Sequence, residues 1–263
     1  MAHRPHPIRA LLEIRAATEL GAFAATAPAM AALLPRAGAD RHVLVLPGFM
    51  AGDASTKPLR SLLGSLGYDT LGWGLGRNIG PTADIVEGLI ELIERLDREK
   101  GPIDIIGWSL GGLFAREIAR LAPATTRQVI TLGSPFQTTG PEQSNASTAF
   151  TALRSRHSDH FTIPRIPSWA REPMEVPTTS IYTKGDGIVS WHQCLNRDLP
   201  DTENVEIYGS HCGLGHNPAA IYVIADRLAQ KDHEWTPFVP PLALRALYPN
   251  ADVVLDTDRI RVA

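Results

Sequence analysis

Cysteine is nearly absent from this chain of 263 residues: Cys194 and Cys212 alone are too few for a zinc ribbon or a disulfide-dense scaffold. A basic excess is missing too. Lys and Arg total 25 against 28 Asp and Glu, a formal net charge of -3, so no surplus of cations exists to neutralise a phosphate backbone and nucleic acid is not an expected partner. An internal repeat and an inter-domain linker are also absent. With 44% hydrophobic and 20% charged residues, the composition is that of an ordinary globular chain, not of a disordered, collagenous or coiled-coil one. The one extended apolar run, Leu20 to Leu34, is shorter than the ~20 residues that cross a bilayer, so no membrane span is expected. Ala37-Gly38-Ala39 beyond it is similar to a signal cleavage site, but Glu13, Arg15 and Glu19 ahead of the run and Pro28 within it oppose that reading. The expectation is a cytoplasmic protein, with export by an N-terminal signal left open and no oligomeric state assigned.

What is present is an alternation of short β-rich runs with helical patterns, the signature of βαβ units on a parallel sheet. Strands are expected at His42–Leu46, Asp69–Trp73, Ile103–Ile106, Gln128–Leu132, Thr179–Tyr182 and Val205–Tyr208. A helix carries Leu59, Leu62, Leu63 and Leu66 on one face, with Thr56 as its expected N-cap and Gly67 as its stop. Others follow from Thr82 to Lys100, Leu110 to Leu121 and Ala219 to Gln230. Between 134 and 177 the pattern gives way to a stretch rich in Ser, Thr and Pro with at most one short helix at Ser147–Arg156. A loop that long inside a folded unit usually covers or binds something. The expected organisation is a helical N-terminal segment at 1–40, a main domain at 41–232 with a cap insertion at 134–177, and a tail at 233–263 packed on the domain.

The most informative residues are Gly107-Trp108-Ser109-Leu110-Gly111, because they join an apolar strand to a helix. A Ser between glycines at that junction sits on a tight, strained turn that presents its hydroxyl at the carboxyl edge of the sheet. A Ser hydroxyl is a weak nucleophile and needs a base oriented by a third group. Two later strand ends supply both: Asp186 in Thr183-Lys184-Gly185-Asp186-Gly187, and His211 in Gly209-Ser210-His211-Cys212-Gly213. The chain order Ser109, Asp186, His211 is the one expected when a triad hangs on successive strand ends of such a sheet. His216 lies five residues beyond His211. It precedes Asn217-Pro218, which reads as the cap and first position of the last helix, so His211 is the expected base.

Taken together, Leu46-Pro47-Gly48-Phe49, Gly107-Trp108-Ser109-Leu110-Gly111-Gly112, Tyr182-Thr183-Lys184-Gly185-Asp186-Gly187-Ile188-Val189 and His211-Cys212-Gly213-Leu214 resemble the α/β-hydrolase family of serine esterases and lipases, compact bacterial lipases in particular. The resemblance covers about Arg41 to Gln230. It implies an α/β-hydrolase fold, a mainly parallel sheet of about six strands with helices on both faces and a small cap. It also implies Ser109 as nucleophile, Asp186 as acid, His211 as base, and the backbone N–H groups of Phe49 and Leu110 as the oxyanion hole. The family often has His before the Gly of the oxyanion loop; Pro47 stands there instead, which leaves the first donor open between Phe49 and Met50. No antiparallel strand pair is evident before Arg41. The implied activity is hydrolysis of a small-molecule carboxylic ester through an acyl-enzyme, with no metal and no organic cofactor. A thioesterase, an amidase or an acyltransferase would use the same groups, and a non-catalytic binding protein is the reading from a different class.

Other features carry weaker signals. Met50, Trp108 and Trp191 are candidates for lining the substrate, the two tryptophans equally for plain packing. Gly74-Leu75-Gly76-Arg77-Asn78-Ile79-Gly80 lacks the spacing of a dinucleotide loop and is read as a turn that touches substrate or caps the next helix. His157, Asp159 and His160 are read as a solvated polar loop, not a metal site. A polar cap favours short and medium acyl chains. Cys194 and Cys212 fall in the loops that carry Asp186 and His211, and are read either as a clamping disulfide or as two free thiols.

Overall fold

Strand residues that alternate between two apolar layers build the centre of the molecule. In β1 (His42–Leu46), Val43 and Val45 join one layer while Leu44 and Leu46 join the other; β3 (Ile103–Trp108) is buried along its whole length. Strands covered on both faces are what a helix-flanked parallel sheet requires. The remaining strands are β2 (Asp69–Gly72), β4 (Thr126–Leu132), β5 (Thr178–Tyr182) and β6 (Thr202–Glu206). The computed structural model describes residues 4–37, 40–137, 144–157, 174–232 and 234–249. It orders the strands β2-β1-β3-β4-β5-β6 in one six-stranded sheet, every neighbouring pair parallel. The expected α/β architecture is therefore present.

The helices are α1 (Pro7–Leu11), α2 (Ala16–Leu33), α3 (Asp53–Ser65), α4 (Ala83–Lys100), α5 (Leu110–Leu121), α6 (Ser147–Ala152) and α7 (Pro218–Leu228), with a 3₁₀ turn at Leu12–Arg15 joining the first two. One face of the sheet is covered by α3 and α7, whose Leu59, Leu63, Ile221 and Ile224 pack on Val43, Val45, Ile106 and Ile130 together with Phe23 of α2. The other face is covered by α4 and α5. Ile85, Leu89, Leu92 and Leu96 form a single apolar stripe on α4, and with Phe114 and Ile118 of α5 they meet Leu44, Leu46, Ile105 and Val129. Each of these large side chains contributes about 2 kcal/mol on burial.

Several boundaries differ from the sequence reading. Helix α3 starts at Asp53 with Gly52 as N-cap, not at Thr56, because the Asp53 carboxylate accepts the N–H groups of Trp73 and Gly74 at 3.0 Å each and fixes the helix start against the end of β2. Those same bonds stop β2 at Gly72. Strand β6 covers Thr202–Glu206 instead of Val205–Tyr208; it is an edge strand, so Thr202, Glu203 and Asn204 can be polar, and Tyr208 lies exposed beyond its end. At the N-terminus, Pro7–Leu33 is helical over 27 residues and contains an 18-residue stretch with a mean hydropathy of 1.2. By length and composition it could cross a membrane, which the apolar run at Leu20 to Leu34 alone could not. In the fold it contributes Phe23 to the core and buries Glu13. The tail packs Phe238 and Tyr248 under α7, with Tyr248 Oη donating to the Ala219 carbonyl at 3.0 Å; the tail beyond 249 and most of the expected cap lie outside the described residues.

At the amino ends of the strands a polar cavity of about 510 Å³ opens among Arg41, Arg127, Gln128, Asp232 and Trp235. Its cations are held by Asp104, which is fully buried and meets Arg41 at 3.1 Å and Gln128 at 2.8 Å. Burial pushes the Asp104 carboxyl up, against the pull of Arg41 and Gln128.

Close approach of α5 to the sheet is the tightest constraint in this packing. A Cβ on Gly111 would stand 2.4 Å from the Leu46 carbonyl oxygen and 2.7 Å from that of Pro47. Gly111→Ala should therefore cost about 3 kcal/mol and lower the melting temperature by roughly 10 °C. A Cβ on Gly21, inside α2, meets nothing within 4 Å, so Gly21→Ala should raise stability by about 0.5–1 kcal/mol through helix propensity. Thermal denaturation followed by circular dichroism checks both signs.

Candidate active site

Ser109 sits between β3 and α5 with φ 53° and ψ −119°, a left-handed conformation that an L-residue resists at a cost of about 1–3 kcal/mol. The surrounding packing holds it there. The Ser109 N–H donates to the Leu132 carbonyl at 2.8 Å, and a Cβ on Gly107 would lie 2.3 Å from the Gly112 Cα. On Gly112 it would lie 2.0 Å from the Ser134 hydroxyl. Glycine is required at both positions for strand and helix to meet at this angle, and the Ser109 side chain projects where they part.

The loops after β5 and β6 bring two partners to it. His211 Nε2 lies 2.9 Å from Ser109 Oγ, and His211 Nδ1 lies 2.6 Å from Asp186 Oδ2. The other Asp186 oxygen accepts the N–H groups of Ile188 and Val189 at 2.8 Å each, so a carboxylate that is only 2% exposed has a donor on each oxygen. Burial pushes the His211 imidazole down, but the Asp186 charge and hydrogen bond, with the Glu13 charge, outweigh it and leave the ring above the ordinary histidine range. His216 is not part of this chain of contacts. Its ring meets Trp108 edge-on at 5.6 Å, burial lowers its pKa, and the next residue, Asn217, caps α7 by accepting from Ala219 and Ala220.

Gly48 brings the loop after β1 against the serine: a Cβ there would be 3.3 Å from Ser109 Cβ. In that loop the Met50 N–H is already bonded to the Asn78 carbonyl at 2.7 Å. The N–H groups of Phe49 and Leu110 have no acceptor among the described residues. Asn78, fully buried, donates to the Pro47 carbonyl at 2.8 Å and its N–H reaches the Ala51 carbonyl at 2.8 Å, so it shapes the segment around Phe49. Helix α4 is capped by Thr82 itself, leaving Asn78 for the loop. Sequence reading left Asn78 open between substrate contact and capping, and a lone Asn in a Gly-rich turn gave no signal for this role.

Other candidates are placed by their neighbours. Trp108 lies under the loop that carries His211, its Nε1 donating to the His211 carbonyl at 3.0 Å and its ring filling the space beside Gly215. Trp191 stacks on Tyr182 at 5.7 Å and on His192, so its ring contacts belong to the end of β5. Met50 is exposed, and Phe49 packs on Phe150 of α6. Cys194 and Cys212 are free thiols. Burial, with the nearby Asp186 charge, pushes Cys194 well up; burial and the Glu13 charge push Cys212 to about 12. His157 Nε2 pairs with the Ile79 carbonyl at 2.9 Å, while Asp159 and His160 lie outside the described residues. Among the described residues no cluster of three or more metal-ligating side chains occurs.

Against known proteins, the model of the alpha/beta hydrolase family matches residues 20–259. No curated protein matches the chain. Solved structures with the same fold include a lipolytic enzyme of the metagenome-derived LipS and LipT pair, 14% identical over 74% of this chain and 94% of its own at a TM-score of 0.53. A thioesterase domain from the curacin biosynthetic pathway is 15% identical over 74% and 93% (TM-score 0.50). A bromoperoxidase from Bacillus anthracis is 15% identical over the same shares (TM-score 0.51). Identities this low speak to fold alone, and the neighbours differ in chemistry. The strand order, the strained serine turn and the matched family model have one common reading: the chain belongs to the alpha/beta hydrolase family.

Proposed function

We propose that the protein is a serine hydrolase that cleaves carboxylic esters through an acyl-enzyme on Ser109. The observation that carries this reading is the unbroken run of contacts from Ser109 Oγ through His211 to Asp186, at 2.9 Å and 2.6 Å, on a backbone turn strained at the serine. Ser109 Oγ attacks the acyl carbonyl while His211 Nε2 takes its proton. Asp186 holds Nδ1 protonated and stabilises the imidazolium that forms. The alcohol leaves with the proton from His211, and water, activated by the same ring, releases the acid. The N–H groups of Phe49 and Leu110, both without an acceptor among the described residues, are the donors available to the developing oxyanion, each worth on the order of 3 kcal/mol. Met50 is spoken for by Asn78, which favours Phe49 as the first donor.

Esters stand first in this reading because the matching fold includes a lipolytic enzyme, and the same groups would act on a thioester. A series of p-nitrophenyl esters of increasing acyl length, with a thioester and an alcohol acceptor in parallel, separates hydrolysis from acyl transfer. The short polar helix α6 leads us to expect short and medium chains to be turned over fastest.

Ser109→Ala should abolish both ester turnover and labelling by a fluorophosphonate while keeping the circular dichroism of the parent; turnover near the parent rate would reject the assignment. His211→Ala should lose turnover by a factor on the order of 1,000,000, and His216→Ala should keep most of it. The reverse order would exchange their roles. Since His211 must be neutral to accept the serine proton and its pKa is raised, kcat/KM should fall with decreasing pH through a limb above the ordinary histidine value of 6.5. A limb below that value, seen in a pH profile on an unionisable ester, would contradict the arrangement.

A further inference from the structure

Glu13 belongs to no motif, yet it is buried and has no cationic side chain paired with it among the described residues. Its hydrogen bonds come from the backbone of the loops that carry Asp186 and His211. Oε1 accepts the Gly187 N–H at 2.7 Å and the His211 N–H at 3.1 Å; Oε2 accepts the Cys212 N–H at 2.8 Å. Neighbours on the same helical segment extend the contact. Arg15 donates to the Gly185 carbonyl at 3.0 Å and, more weakly, to that of Gly209 at 3.4 Å, while Glu19 accepts the Ser210 N–H at 2.8 Å. The loops are shaped to admit these groups. A Cβ on Gly187 would lie 2.2 Å from the Arg9 carbonyl oxygen, and on Gly213 it would lie 1.6 Å from Glu19 Oε2.

A buried carboxylate is costly unless donors replace its water, and here the donors are N–H groups one residue beyond Asp186 and at or beside His211. One anion thus closes a bridge between two loops that leave the sheet from different strands. We propose that Glu13 is a positioning residue of the reaction: by holding the Gly187, His211 and Cys212 amides it sets the approach of His211 to both Asp186 and Ser109. The inference rests on the esterase reading for the reaction it serves. The charged and titratable groups around the base are Asp186 from the β5 loop, Glu13, Arg15 and Glu19 from the N-terminal segment, and Cys212 and His216 from its own loop. The Glu13 charge adds to that of Asp186 in favouring the protonated ring.

The test uses the full chain. Glu13→Gln keeps the volume and removes the charge, and because all three loop groups are N–H donors, its side-chain NH2, which cannot accept, leaves at least one of them without a partner. It should lower kcat on a p-nitrophenyl ester about tenfold with KM nearly unchanged, and move the acid limb of kcat/KM to lower pH. Glu13→Ala should lower kcat about 100-fold, the scale of an ångström of misplacement. Glu13→Asp, which restores the charge but not the reach, should return the acid limb toward the parent while kcat stays reduced. Rates are normalised to the folded, fluorophosphonate-reactive fraction. If the normalised kcat and the acid limb of Glu13→Gln match the parent, the carboxylate is only structural and the proposal fails. Should Glu13→Gln not fold, the Glu13→Asp profile decides on the same criteria. A parent enzyme whose Ser109 takes no label, or a Ser109→Ala variant that keeps turnover, would instead overturn the esterase reading, an outcome recorded separately from the Glu13 result.

Discussion

A serine backbone held in left-handed space at the centre of the sheet is the constraint around which the molecule is arranged. Ser109 can stay there because β3 lies between β1 and β4, because its N–H is bonded to Leu132, and because Gly107, Gly111 and Gly112 let α5 descend onto three strand ends at once. No single contact is strong enough to force the turn. Many packed neighbours over-determine it, which is how local strain persists in a native fold. The apolar layers above and below the sheet are thus the reason a hydroxyl is aimed out of its edge.

The partners of that hydroxyl are held differently. Asp186 and His211 ride on loops beyond β5 and β6, away from the centre, and specific hydrogen bonds to the loop backbones add to their packing. Trp108 braces the His211 loop from beneath through the His211 carbonyl, and the N-terminal segment braces both loops from the outside through Glu13, Arg15 and Glu19. Polar bonds suit this task, since they specify distance and direction where an apolar contact specifies only proximity.

What could be read from the sequence divides along the same line. The sheet, the helix faces and the order Ser109, Asp186, His211 are written in local patterns: alternation, spacing and glycines beside a serine. Edges were harder. The span of β6 differs because its polar residues are satisfied by partners remote in sequence, Glu203 by Thr179, Arg227 and Phe238 and Asn204 by Asn196, and the start of α3 because Asp53 is used across space by Trp73 and Gly74 instead of at its own helix cap. The roles of Asn78 and Glu13 are illegible in the sequence for a deeper reason. Each acts on backbone groups remote in sequence, Glu13 on an amide 198 residues away, and backbone amides carry no residue identity for a pattern to detect.

The unequal footing of Ser109 and His211 divides what a substitution can do to each. The serine turn is set by the close approach of β3, β1 and α5, so a change at Gly107, Gly111 or Gly112 alters the site and the core together. The His211 loop is tied to Glu13 and Trp108 by hydrogen bonds to its backbone, so a change there can shift the imidazole while the sheet keeps its packing. Activity and stability are thus coupled at one end of the contact chain and separable at the other.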